Sequence, residues 1–206
     1  MKRLQGTNLL LLLILAMLVV PTLVSGQNSG QNSSHGTAQA NQADPALRQA
    51  LIKAVNDSKS FKDRFHAEVW LTDMSNRMRK RLPDTQQRLE LLRTVHHEAK
   101  RARLHPELVL AVIDVESNFD RYAISYVGAR GLMQIMPFWL DEIGRPNDDL
   151  FDMQTNLRFG CTILRHYMDR ESDNIRRALA RYNGSVGKRK YPDKVFRVLG
   201  SRWYKQ

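Results

Sequence analysis

Apolar residues along most of this chain recur at three- and four-residue spacing, the period of a helix that turns one face to a core. Beyond an initial apolar run and a polar stretch, Asp44-Pro45 reads as a helix cap and first residue, followed by the stripe Leu47, Ala50, Leu51, Ala54 and Val55. Ser60 is placed to cap a second segment with Phe61, Phe65, Val69 and Trp70 as its apolar residues. Leu82-Pro83 starts a third helix, with Leu89, Leu92, Val95 and His96 along one face. His105-Pro106 opens a fourth, which is apolar nearly all round through Ile113 and so is predicted to be buried on most sides.

Between Phe119 and Gly131 the regular pattern fails, and Tyr122, Ile124, Tyr126 and Val127 suit short extended pieces. Helical patterning returns over residues 132–143, 152–169 and 174–182, and a last helix is predicted from Pro192 to about Trp203. Strands are scarce and there is no internal repeat. The expected fold is mainly α, with at most a small irregular β element.

The two ends of this pattern divide the chain. Lys2 and Arg3 precede an unbroken apolar run from Leu9 to Val20, Pro21 breaks it, and Val24-Ser25-Gly26 offers small residues for cleavage. Residues 1–26 therefore read as a secretory signal, with a retained anchor as the alternative, and the mature chain is expected to be exported to a periplasm or cell envelope. Residues 27–44, rich in Gln, Asn, Ser, Gly and Ala, read as a flexible linker. Residues 45–82 are an N-terminal helical extension, and 83–206 the main domain.

Charge narrows the partners. The 206 residues carry a formal charge of +11, which suits an anionic partner: nucleic acid, a membrane surface or an acidic wall polymer. Export argues against nucleic acid. The clusters at Arg77 to Arg81, Lys100 to Arg103 and Lys188-Arg189-Lys190 are either solvated helix faces or contacts to an anionic membrane or wall surface. The single cysteine, Cys161, excludes an internal disulfide and reads as a buried small hydrophobe. His96-His97-Glu98 lacks a second histidine at zinc-protease spacing, so no metal is assigned.

The candidate chemistry lies at the end of the fourth helix. Glu116 continues the stripe of Val109, Val112 and Ile113, at the negative end of the helix dipole. Desolvation and dipole both favour the neutral acid, which is the form a general acid needs. Alone, a Glu near a helix end is usually a solvated surface residue. Two further motifs set polar groups among apolar ones. In Gly128-Ala129-Arg130-Gly131-Leu132-Met133-Gln134-Ile135-Met136-Pro137 the glycines permit tight turns and close approach of a ligand at Gly131, Met133 and Met136 are placed to line a groove, and the Gln134 amide needs a partner. In Ala180-Arg181-Tyr182-Asn183-Gly184 an apolar helix ends with Gly184 as its C-terminal turn. Each has a bland reading, a packed helix with a satisfied Gln and an ordinary cap.

Together, Glu116-Ser117-Asn118-Phe119 and these two motifs resemble, in order and spacing, the family 1 lytic transglycosylases, soluble-lytic-transglycosylase-like enzymes of the lysozyme fold close to goose-type lysozyme. Asn156-Leu157-Arg158-Phe159-Gly160-Cys161 also looks like that family's helix, and the resemblance runs over roughly residues 88–199. Phe138-Trp139 and Arg181 depart from it. The resemblance implies a lysozyme-like domain that cuts the β-1,4 bond between N-acetylmuramic acid and N-acetylglucosamine of peptidoglycan glycan strands and leaves 1,6-anhydromuramyl ends. It implies Glu116 as the acid and then the base. Ser117, Met133 and Gln134 would contact substrate, with Tyr182 and Asn183 orienting acid and substrate. No cofactor or metal is implied, and protein partners stay open. The alternatives are a goose-type hydrolase and a non-catalytic exported module that binds wall or a secretion assembly.

Overall fold

The computed structural model describes residues 60–144 and 147–204. The predicted signal, the linker and the stripe at 47–55 lie outside them. Among the described residues seven α-helices follow one another: α1 Arg64–Met78, α2 Thr85–Arg101, α3 Pro106–Glu116, α4 Phe138–Ile143, α5 Met153–Arg170, α6 Ile175–Tyr182 and α7 Lys190–Val198. The last runs directly into a π-helical turn, Leu199–Trp203. Among the described residues the only β features are two isolated antiparallel bridges, Ile124 to Arg130 and Arg130 to Ile135. The mainly helical expectation is what the chain adopts.

Helix α3 is the axis of the fold. Val109 to Ile113 are completely buried in succession, as a helix apolar on every side requires. α2, α7 and the π turn pack around it, α5 packs on α2 and α6, and α1 lies on α2. Residues 60–82 share this core: Leu71, Met74 and Met78 are buried in it, and the Trp70 indole donates to Glu107 at the start of α3 (2.8 Å). Buried Arg88 clasps the α1–α2 connection through Ser75 Oγ and the carbonyls of Leu82 and Pro83.

Helix starts follow the capping side chains. Asp63 accepts from His66 N (2.8 Å), so α1 begins after Asp63 and not at Ser60, whose hydroxyl lies 2.8 Å from His96 Nδ1. Asp84 accepts from Gln87 N (2.7 Å), which moves the start of α2 past Pro83. Asp152 and Asn174, the first residues of two segments read as helical, lie just outside α5 and α6 and cap them. α7 begins two residues before Pro192, since a proline in the first turn forfeits no intrahelical hydrogen bond.

One predicted helix is corrected. Residues 132–137 are a tight turn, and only Phe138–Ile143 is helical. Gln134 has φ 50, incompatible with a right-handed helix, and the backbone around it pairs through Arg130 and Ile135 in both directions (2.9 Å each). The amide of Asn156 supplies from α5 what a helix would have supplied locally. Its Oδ1 accepts from Met133 N (2.8 Å), and its Nδ2 donates to the carbonyls of Arg130 (2.9 Å) and Leu150 (2.8 Å).

Candidate active site

Glu116 is the last residue of α3, half-buried, with the chain reversing immediately beyond it. Asn118 and Phe119 both have positive φ, 49 and 69. This conformation is unfavourable for residues with a side chain. Phe119 offsets the strain by burying its ring edge-on against Trp203, with centroids 5.6 Å apart. The reversal leaves the Glu116 carboxyl at the rim of the core instead of along a continuing helix.

Burial pushes the Glu116 carboxyl up to about 7, against two influences that favour its charged form, a hydrogen bond from Tyr191 and the charge of Lys194. The Tyr191 hydroxyl donates to Glu116 Oε1 at 2.6 Å. Tyr191 is buried, and its own ionisation is pushed well above the usual range by burial and by Glu116, so it stays a donor. A carboxyl poised near neutrality and held by a fixed donor can give a proton and take one back.

The opposite wall is the turn after Gly131. Ser117 Oγ donates to Leu132 O (2.8 Å), so the residue after Glu116 is fastened to this wall. The Gln134 amide donates to Ala123 O (3.1 Å) and Gly131 O (2.9 Å), which satisfies the donors of its Nε2 within the turn. Tyr182 OH donates to Met133 O (2.8 Å), while Asn183 forms the C-cap of α6, half-buried. Gly131 has φ +74, and a Cβ there would fall 2.4 Å from the Asn156 amide nitrogen. Gly160 on α5 admits Met133 in the same way, since a Cβ would lie 2.2 Å from its sulfur. Cys161 beside it is fully buried, and burial drives its thiol ionisation far up, as an inert core position requires.

The structure thus brings Glu116, Ser117, Gly131, Met133, Gln134 and Tyr182 into one bonded framework. It also adds residues that sequence reasoning passed over. Tyr191, not Tyr182, bonds Glu116. Its only local signal was a lone aromatic between Lys190 and Pro192. Asn156, a polar residue on the buried face of α5, is the hub of the turn. Asp114 is buried and engaged elsewhere: it accepts from Arg202 Nη1 (2.8 and 3.0 Å) and Trp203 Nε1 (3.2 Å). Asp120 is exposed and accepts from Tyr122 N (2.9 Å).

Known proteins carry the same arrangement of sequence. Residues 93–196 match the family described as the Transglycosylase SLT domain. The transglycosylase of Enterobacteria phage PRD1 is 32% identical over 118 residues, 54% of this chain and 43% of that protein. Membrane-bound lytic murein transglycosylase F of Desulfosudis oleivorans is 34% identical over 106 residues, 47% of this chain and 23% of its own length. A crystal structure of an inactive mutant of the lytic transglycosylase Slt from Pseudomonas aeruginosa aligns over 73% of this chain and 31% of that one, at 21% identity and a TM-score of 0.43. The chain spans less than half the length of these curated relatives. The family match begins in α2, crosses the reversal after Glu116 and ends in the helix that carries Tyr191, and by it this chain belongs to the Transglycosylase SLT domain family.

Proposed function

We propose that this chain is an exported peptidoglycan lytic transglycosylase, with Glu116 as its single acid–base residue. The observation that carries the reading is the Glu116 carboxyl, pushed up to about 7 by burial and held 2.6 Å from the Tyr191 hydroxyl. In the neutral form it protonates the glycosidic oxygen between N-acetylmuramic acid and N-acetylglucosamine as the C1–O bond breaks. The resulting carboxylate then takes the proton of the muramyl C6 hydroxyl as that oxygen bonds to C1, which closes the 1,6-anhydro ring. Both proton transfers use one carboxyl, so the cycle returns Glu116 to its starting state.

Ordinary glycosidases divide this work between two carboxylates. Here the acids nearest in sequence are otherwise engaged, Asp114 by Arg202 and Trp203 and Asp120 by the backbone of its own turn. An internal hydroxyl already close to C1 needs no carboxylate to recruit water, because proximity supplies the advantage. Ser117, Gly131, Met133, Gln134, Tyr182 and Asn183 form the substrate-binding wall in this reading. Digesting purified wall in isotopically heavy water tests it. Anhydromuramyl ends free of heavy oxygen are expected. Heavy oxygen at new reducing muramyl ends would instead identify a hydrolase.

A further inference from the structure

Many arginines among the described residues are neutralised where they stand, as in Arg77 with Asp73, Arg101 with Glu98, Arg158 with Asp148 and Arg202 with Asp114. One face of α7 is different. Lys190, Lys194 and Arg197 follow at i, i+4 and i+7, so they share one flank of the helix. All three are exposed, and none has a carboxylate partner among the described residues. The one acid of α7, Asp193, is engaged by Arg176 and Arg189. At 1.5 Å per residue the three cations span about 10 Å, the reach of roughly three residues of extended peptide.

The position of this flank matters as much as its charge. Tyr191 belongs to the same helix turn, and its hydroxyl touches Glu116. Lys194 lies one turn on and its charge is felt at Glu116. The stripe therefore lies beside the Glu116 site, with Lys194 at its middle within electrostatic reach of the carboxyl. A glycan seated against Glu116 brings its muramyl residue here, and muramyl residues carry the peptide stems with their free carboxylates.

We propose that Lys190, Lys194 and Arg197 form a carboxylate-binding stripe that grips the stem peptides of the glycan strand being cut. The proposal rests on the reading of the chain as a peptidoglycan enzyme. It makes the stripe a determinant of specificity, favouring stem-bearing strands over bare ones. Continuity with the cleft sets this occupant above a membrane surface, because a seated substrate holds the stem within reach of the stripe.

The test compares the protein with a Lys190→Gln, Arg197→Gln double variant. Lys194 stays, since its charge also acts on Glu116. Both proteins are given the same glycan strands, either bearing stems or stripped of them by an amidase. In the variant, the preference for stem-bearing strands in kcat/KM is expected to fall roughly tenfold, mainly through KM. In the unaltered protein, that preference should fade as salt rises. An unchanged preference overturns the stripe, and if both substrates are still digested the lytic reading survives it. If neither strand is digested, the lytic reading fails and co-sedimentation with the two strand preparations decides: equal retention of protein and variant on stem-bearing strands overturns the stripe. Loss of the variant's binding to phosphatidylglycerol vesicles, with strand preference intact, identifies a membrane contact and also overturns it.

Discussion

Tyr191 and Glu116 stand 75 residues apart in the chain, yet a 2.6 Å hydrogen bond from the phenol to Oε1 joins them. The bond fixes where the carboxyl points and opposes the effect of burial on its charge. α7 packs against α3, so the geometry of the candidate acid depends on a helix formed late in the sequence.

Glu116→Gln should abolish wall digestion without unfolding the chain. Gln is close in shape but cannot give and then retrieve a proton at the leaving oxygen. Acid–base assistance is worth roughly 10²–10⁴-fold, and the loss of a sole carboxyl belongs at the upper end. Turnover near the wild-type rate, with an unchanged circular dichroism spectrum, would remove Glu116 from its role.

The same substitution has a pH signature in stability. The carboxyl is raised from 4.5 to about 7 in the folded protein, so between these values the folded state binds more protons than the unfolded one. Stability contributed by this group therefore falls as pH rises through that window. Glu116→Gln removes the effect, and its Tm relative to wild type should be higher at pH 8 than at pH 4. The ceiling is about 3 kcal/mol. A Tm difference that does not vary with pH would show that Glu116 is not desolvated.

How much of this was legible follows from how locally each feature is determined. The apolar stripe of α3 and its terminal Glu116 are periodic within eleven residues, so spacing alone located them. The turn at 132–137 is decided by Asn156, 23 residues beyond Met133, and by the positive φ of Gln134. Its Leu-Met-Gln-Ile-Met run consequently imitated a helix. Tyr191 was hidden by its neighbours: Lys188 to Lys190 read as a basic cluster, and Pro192 as a helix start. The motifs revealed which residues meet, and the tertiary bonds decide which hydroxyl touches which carboxyl.

Tyr191→Phe and Tyr182→Phe should therefore behave differently. The Tyr191 hydroxyl acts on Glu116 itself, and a hydrogen bond to a charged or reacting group is worth about 1.5–3 kcal/mol. Its loss should lower kcat on the order of tenfold to a hundredfold. It should also move the alkaline limb of the pH profile upward, since that bond holds the carboxyl pKa down. Tyr182 donates to the Met133 carbonyl, so its loss should act mainly on KM, with a stability cost of about 1 kcal/mol. Matching effects on kcat and on the pH limb in both variants would contradict the division.

Asn156→Ala tests whether the wall opposite Glu116 is held from α5. The substitution removes three bonds at once and leaves Met133 N–H and the carbonyls of Arg130 and Leu150 without their side-chain partner in a buried setting. A buried group left unsatisfied costs about 1–3 kcal/mol. Some relaxation is expected, so a net loss of about 3 kcal/mol should appear in chemical denaturation. Below that transition the folded variant should bind glycan weakly, because the turn carrying Met133 and Gln134 no longer has a fixed shape. Asn156→Asp, at a pH where the new acid is neutral, keeps the acceptor for Met133 N and offers one O–H donor in place of the amide's two, so it should fall between Ala and wild type in glycan affinity. If Asn156→Ala unfolds at the wild-type denaturant concentration, the turn is held by its own backbone bonds, and Asn156 is not its hub.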